Sequence, residues 1–85
     1  MERVALDLKE IWDQSRVPFY IQIALAEHCT TVEAFAQLAN DRISLRRFGV
    51  ESLGISTKLL VDLYDITTLL DAWESARVRS TQLQR

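Results

Sequence analysis

The stretch Ile55–Val78, ISTKLLVDLYDITTLLDAWESARV, is the longest uninterrupted helical pattern in the chain. Leu59, Leu60, Leu63, Ile66, Leu70 and Trp73 recur in it at steps of one, three and four residues, which lines one stripe of an α-helix. Ser56 stands before the run as an N-cap, and Gly54 closes whatever precedes it. No Gly or Pro occurs after Gly54. The spacing predicts a long closing helix against which several shorter helices fold.

The rest of the chain supplies those shorter helices. Val4, Leu8, Ile11 and Trp12 share a helical face and predict a first helix over Leu6–Gln14, with Trp12 as a core anchor. Ser15-Arg16-Val17-Pro18 breaks it, because Pro18 drives Val17 out of the α region and itself suits a first helical position. A second helix runs from Pro18 to about His28. It is apolar on nearly every side, as a central helix or an interface helix is, and is expected to be the most buried of the short ones.

Thr30-Thr31-Val32-Glu33 has the form of a capping box, with Thr30 as the cap. It opens a third helix to about Ala39, with Asn40 as a left-handed stop. Asp41 caps a fourth helix, Arg42 to Phe48, which Gly49 ends while Val50 folds back in a Schellman manner. The predicted core is Trp12, Ile23, Phe35, Leu38, Phe48, Leu53, Leu59, Leu63 and Ile66. Ile66-Thr67-Thr68 is the one strand-prone spot, and the helical period runs through it.

Composition sets the outer bounds. Eighty-five residues make one domain, with a core over about 6–76 and a helical extension or tail over 77–85. The apolar fraction of 48% and charged fraction of 26% are those of an ordinary globular chain. A net charge of −2 argues against a general electrostatic grip on nucleic acid. The single cysteine, Cys29, cannot form an internal disulfide and makes no metal set with the single His28. A reducing, intracellular home, cytoplasmic or nuclear, is the simplest reading. No apolar run reaches the ~20 residues of a membrane span, and Met1-Glu2-Arg3-Val4 lacks the apolar core of a signal peptide. The C-terminal run, Ser80 to Arg85, reads as a helix outlasting its apolar stripe, as in a domain cut from a longer protein.

No catalytic constellation is present in the sequence. His28 and Cys29 are adjacent, point in different directions on a helix end and have no third orienting group. The carboxylates form no pair with a reason to be buried together, and there is no phosphate loop or metal spacing. The expectation is not an enzyme, with no cofactor and no small-molecule substrate.

The order of elements resembles the sterile alpha motif and its wider group of five-helix domains. The matching residues are Phe35, Leu38, Leu45, Phe48, Leu53, Gly54, Ile55 and the Leu59-Leu60-Leu63 stripe, between Leu6 and about Trp73. Where that family often has a second glycine and a basic residue inside the last helix, Ser56-Thr57-Lys58 keeps only the lysine. The fold class expected is therefore all-α, a compact five-helix bundle with a long C-terminal helix.

The resemblance implies a protein-interaction module that pairs with itself or with another helical domain. One implied surface is the N-terminal end of the last helix, at Gly54, Ser56, Thr57 and Lys58. A second, acidic one centres on Glu33 and Asp41. Free N–H groups at a helix N-terminus favour negative charge. The competing reading is nucleic-acid binding. Leu53-Gly54-Ile55-Ser56 also resembles one hairpin of a helix-hairpin-helix, and Arg42, Arg46 and Arg47 would give it a basic edge. Glu51, Asp62 and Asp65 close by oppose that reading. Arg77, Arg79 and Arg85 gather at the C-terminal end, where basic residues compensate the helix dipole. A coiled-coil seam from Trp73 to Leu83 is disfavoured, since Trp73, Val78 and Leu83 stand five apart where a seam needs steps of three and four.

Overall fold

A computed structural model describes residues 3–83. Five helices and no strand occur among them: α1 (Leu6–Gln14), α2 (Phe19–Ala26), α3 (Val32–Ala36), α4 (Arg42–Glu51) and α5 (Leu60–Leu83). The protein is all-α, with the long C-terminal helix packed against α3, α1 and α4. The 24 residues of α5 make a rod of ~36 Å, which nearly matches the molecule's longest extent of 40 Å.

α1 has the predicted bounds, and its buried residues are Leu8, Ile11 and Trp12. Its end is a Schellman motif. Arg16 N–H donates to Asp13 O and Val17 N–H to Trp12 O, and Arg16 holds φ 62°, a left-handed conformation that glycine usually takes. This turn, rather than Pro18 alone, stops the helix and delivers Val17 into the core. Pro18 is the N-cap of α2 and not its first helical residue. Its carbonyl accepts from Ile21 N–H and Gln22 N–H.

α2 is not the most buried short helix. Its inward positions are Ile21, Gln22 and Leu25, and Phe19, Tyr20 and Ile23 face outward. A buried polar residue takes one of those inward places. Gln22 Nε2 donates to Val17 O at 2.9 Å and to Asp13 Oδ1 at 3.1 Å, tying α2 to the end of α1.

α3 begins one residue later than expected. The cap is Thr31, whose side chain accepts from Ala34 N–H at 3.1 Å. Thr30 instead uses its backbone carbonyl, which accepts from Ala5 N–H at 2.8 Å and ties the entry of α1 to this loop. α3 stops at Ala36 rather than near Ala39, and Asn40 is not left-handed, because the only positive-φ residues described are Arg16 and Gly54.

Asp41 caps α4 as expected, accepting from Ser44 N–H at 2.7 Å. The helix runs through Gly49 to Glu51. Gly49 is no stop but a close-packing point. A Cβ built there would lie 3.0 Å from Leu69 Cδ2 and 3.3 Å from Ile55 Cδ1. Gly54, at φ 73°, makes the reversal instead, and lets Ile55 N–H reach Gly49 O at 3.1 Å.

The core gathers Trp12, Phe35, Leu45, Ile55, Ile66, Leu69 and Trp73, with Ala72 and Ala76 allowing close approach along α5. Trp12 meets Phe35 edge-on with centroids 5.8 Å apart, a favoured aromatic geometry. Leu38, Phe48 and Leu53 are half-buried against this cluster. Three expected core residues lie outside it: Ile23 is 47% exposed, Leu59 63% and Leu63 39%. The inward stripe of α5 is Ile66, Leu69, Leu70, Trp73, Ala76 and Ser80. It starts one to two turns later than the sequence pattern suggests, because the shorter helices leave Leu59, Leu60 and Leu63 exposed at the head of the rod.

Candidate protein-interaction surface

The unused part of α5 forms the candidate site. Ser56 does not cap the helix. Its Oγ accepts from Lys58 N–H at 3.2 Å and shapes the loop before it. The helix starts at Leu60, and Asp62 Oδ2 accepts from Leu59 N–H at 3.1 Å. That carboxylate answers one of the free N–H groups and sets negative charge against the positive end of the dipole. The head of α5 is thus already supplied with an acid, which lessens its pull on carboxylates from elsewhere.

What the head offers is apolar surface. Leu59, Leu60, Val61, Leu63 and Tyr64 are all exposed, Leu60 by 86%. Phe19, Tyr20 and Ile23 of α2 are exposed as well. The Tyr20 hydroxyl donates to Asp65 Oδ2 at 2.7 Å and fixes the two groups at one junction. Burial of that hydroxyl, then the hydrogen bond to Asp65, pushes its pKa up to about 12. It therefore stays a donor throughout the neutral range. Single exposed apolar residues are ordinary, but five in six consecutive residues at the head of α5, with Tyr20 tied alongside, are a concentration of the kind found at interaction sites.

The residues singled out in the sequence fall in three places along the fold. Gly54, Ser56, Thr57 and Lys58 are exposed and line the loop leading into the apolar head. Glu33 is exposed on the first turn of α3, with Gln37 Nε2 at 3.5 Å. Asp41 is exposed at the start of α4, where the Ser44 N–H holds its carboxyl below the usual range. Asp41 lines an open groove of about 800 Å³ with Ile43, Trp73 and Val78, far down α5 from Lys58. No hydrogen bond or ion pair joins Glu33 or Asp41 to the Gly54–Lys58 loop among the described residues.

The arginines are only partly available. Arg42 is ion-paired with Glu74 of α5, while Arg46 and Arg47 are exposed. The Arg77 guanidinium lies 4.7 Å from the Trp73 ring centroid, a cation–π contact. Arg79 is half-buried. Arg85 and the Leu83 side chain lie outside the described residues.

Cys29 is buried, with its thiol 3.5 Å from Leu25 O, and burial pushes its pKa up to about 11. Such a thiol is a structural residue and a poor nucleophile at neutral pH. His28 turns its ring onto Phe48, centroids 5.1 Å apart. No cluster of three or more His, Cys, Asp or Glu suited to a metal occurs among the described residues, and none of the helices is long and apolar enough to cross a membrane.

The loop at Lys58 is legible in the sequence, whereas the exposed head beside it reads there as core. The signal that marks it is the run Leu59-Leu60-Val61 followed by Leu63-Tyr64. Five apolar residues in six cover too wide an arc of a helix for one buried stripe. Comparison with protein-family models, curated proteins and solved structures gives no match.

Proposed function

We propose that this protein is a protein–protein interaction module that self-associates through the apolar head of α5 and the adjoining end of α2. The observation that carries this reading is the run of exposed apolar side chains Leu59, Leu60, Val61, Leu63 and Tyr64 at the head of α5, to which Tyr20 of α2 is tied by its hydrogen bond to Asp65. Leaving it in water forgoes ~25 cal/mol for each Å² of apolar surface that a partner would cover. The reading agrees with what the resemblance to sterile-alpha-motif-like domains implies, with the contact carried by apolar surface and Lys58 at its rim. Nucleic acid is the weaker reading, because Arg42 is engaged by Glu74 and Asp41 borders the same edge.

Light scattering across concentration tests the proposal. The mean mass should rise above that of a monomer in the micromolar range. Leu60→Glu should weaken association at least tenfold while the helical circular-dichroism signal is kept, since Leu60 supports no core contact. A parent protein that stays monomeric to millimolar concentration would sink the proposal.

A further inference from the structure

We infer that the head of α5, residues 59–65, opens and closes as a unit apart from the rest of the helix, and that the Tyr20–Asp65 hydrogen bond is the latch that holds it closed. The use of such a latch rests on the self-association proposed above, since the closed, helical head is the form that a partner takes up.

Burial divides α5 in two. Over residues 56–65 nothing is buried. From Ile66 onward the inward positions are filled, with Ile66, Leu69, Leu70, Ala72, Trp73 and Ala76 each no more than 9% exposed. The packing of α5 on α3, α1 and α4 therefore secures chiefly this body. Two turns of helix do not stand alone in water, because nucleation is costly and each added bond gains little. A segment with few buried apolar contacts and water-exposed backbone bonds opens at a lower free energy than the core does.

The boundary between head and body has its own mark. Thr67 Oγ1 donates to Leu63 O at 3.0 Å, and Thr68 Oγ1 donates to Asp65 O at 2.6 Å. Both hydroxyls reach back to carbonyls of the head. Such back-bonding competes with the backbone ladder, and it loosens and bends helices. The two threonines stand where exposure gives way to burial, Thr67 exposed and Thr68 buried, which sets the hinge there.

Among the described residues, one hydrogen bond ties the head to another element. The Tyr20 hydroxyl of α2 donates to Asp65 Oδ2 at 2.7 Å. Ser56 supplies no cap, and Asp62 accepts from Leu59 N–H within the head itself. α2 is in turn held to the end of α1 through Gln22, so the latch connects the head to the body of the fold.

Amide hydrogen exchange read by mass spectrometry tests this, at a concentration where light scattering gives the monomer mass. Amides of residues 64–67, bonded across the head, should exchange at least ~100-fold faster than those of residues 69–76. Tyr20→Phe keeps the ring and removes only the hydroxyl. It should speed the head about three- to tenfold and leave the body unchanged. Asp65→Ala removes the same bond, so the double variant should be about as fast in the head as Tyr20→Phe alone. Like rates in head and body would overturn the inference. So would a Tyr20→Phe effect that is equal in both or absent from both, or single effects that multiply in the double variant. None of these results touches self-association, which light scattering of the parent and Leu60→Glu decides. A parent that stays monomeric removes the use assigned to the latch, and the exchange rates still judge the latch itself.

Discussion

Replacing Gly49 by alanine sets two effects of known size against each other. Gly49 lies within α4, so alanine there gains ~0.5–1 kcal/mol of helix propensity. Against this, the new Cβ would stand 3.0 Å from Leu69 Cδ2 and 3.3 Å from Ile55 Cδ1, where carbon atoms prefer ~3.5–4.0 Å. Both neighbours are nearly fully buried, so neither can swing into solvent. Forcing an extra methyl group into a filled core costs ~1–3 kcal/mol. The net expectation is a loss of about 0.5–2 kcal/mol, read by urea denaturation followed by circular dichroism. Leu69→Val shortens the obstructing side chain, so the double variant should lose less than the two single losses together. Gly54→Ala gives the opposite control. No atom lies within 4 Å of its added Cβ, but φ is 73°, so its cost of ~1–2 kcal/mol is that of the backbone alone. If Gly49→Ala stabilises the protein by its full helix propensity, the close approach of α4 to α5 is wrong.

Phe35→Ala should cost ~3–5 kcal/mol, because Phe35 is fully buried and edge-on to Trp12. Leu63→Ala should cost under ~1 kcal/mol, as an exposed position does; equal losses in denaturation would place Leu63 in the core. Thr31→Ala should lose ~1 kcal/mol and Thr30→Ala clearly less, since only the Thr31 side chain caps α3. The reverse order would restore the cap to Thr30. Arg16→Gly should raise the unfolding free energy by ~0.5–1 kcal/mol, because it relieves a left-handed non-glycine residue at some cost in unfolded-chain entropy. A lower melting temperature would show that the Arg16 side chain contributes more than its backbone strain costs.

The sequence carried the helices well and the phase of their packing poorly, for reasons visible in particular residues. α1 was legible to both ends because its apolar and charged residues separate cleanly around the helix. α2 was not, because an arc that is apolar all round has no phase. Only the buried Gln22, hydrogen-bonded to Val17 and Asp13, marks which side is inward. Thr30-Thr31 offers two caps one residue apart, and the choice falls to Thr31 once the Thr30 carbonyl is committed to Ala5. On α5, the stripe read from the sequence and the stripe the fold buries share Ile66, Leu70 and Trp73. They part toward the N-terminus, where a periodic pattern cannot say which turns of a long helix have neighbours. The candidate site follows from that same ambiguity. Leu59 and Leu63 carry an apolar period that reads as core, yet no element among the described residues buries them. Periodicity records that a face is to be buried, and it is silent on whether the covering surface belongs to the same chain. A second copy seated on the head, as proposed above, would bury Leu59, Leu60 and Leu63, and would turn the part of the stripe that fails for the monomer into the core of an assembly.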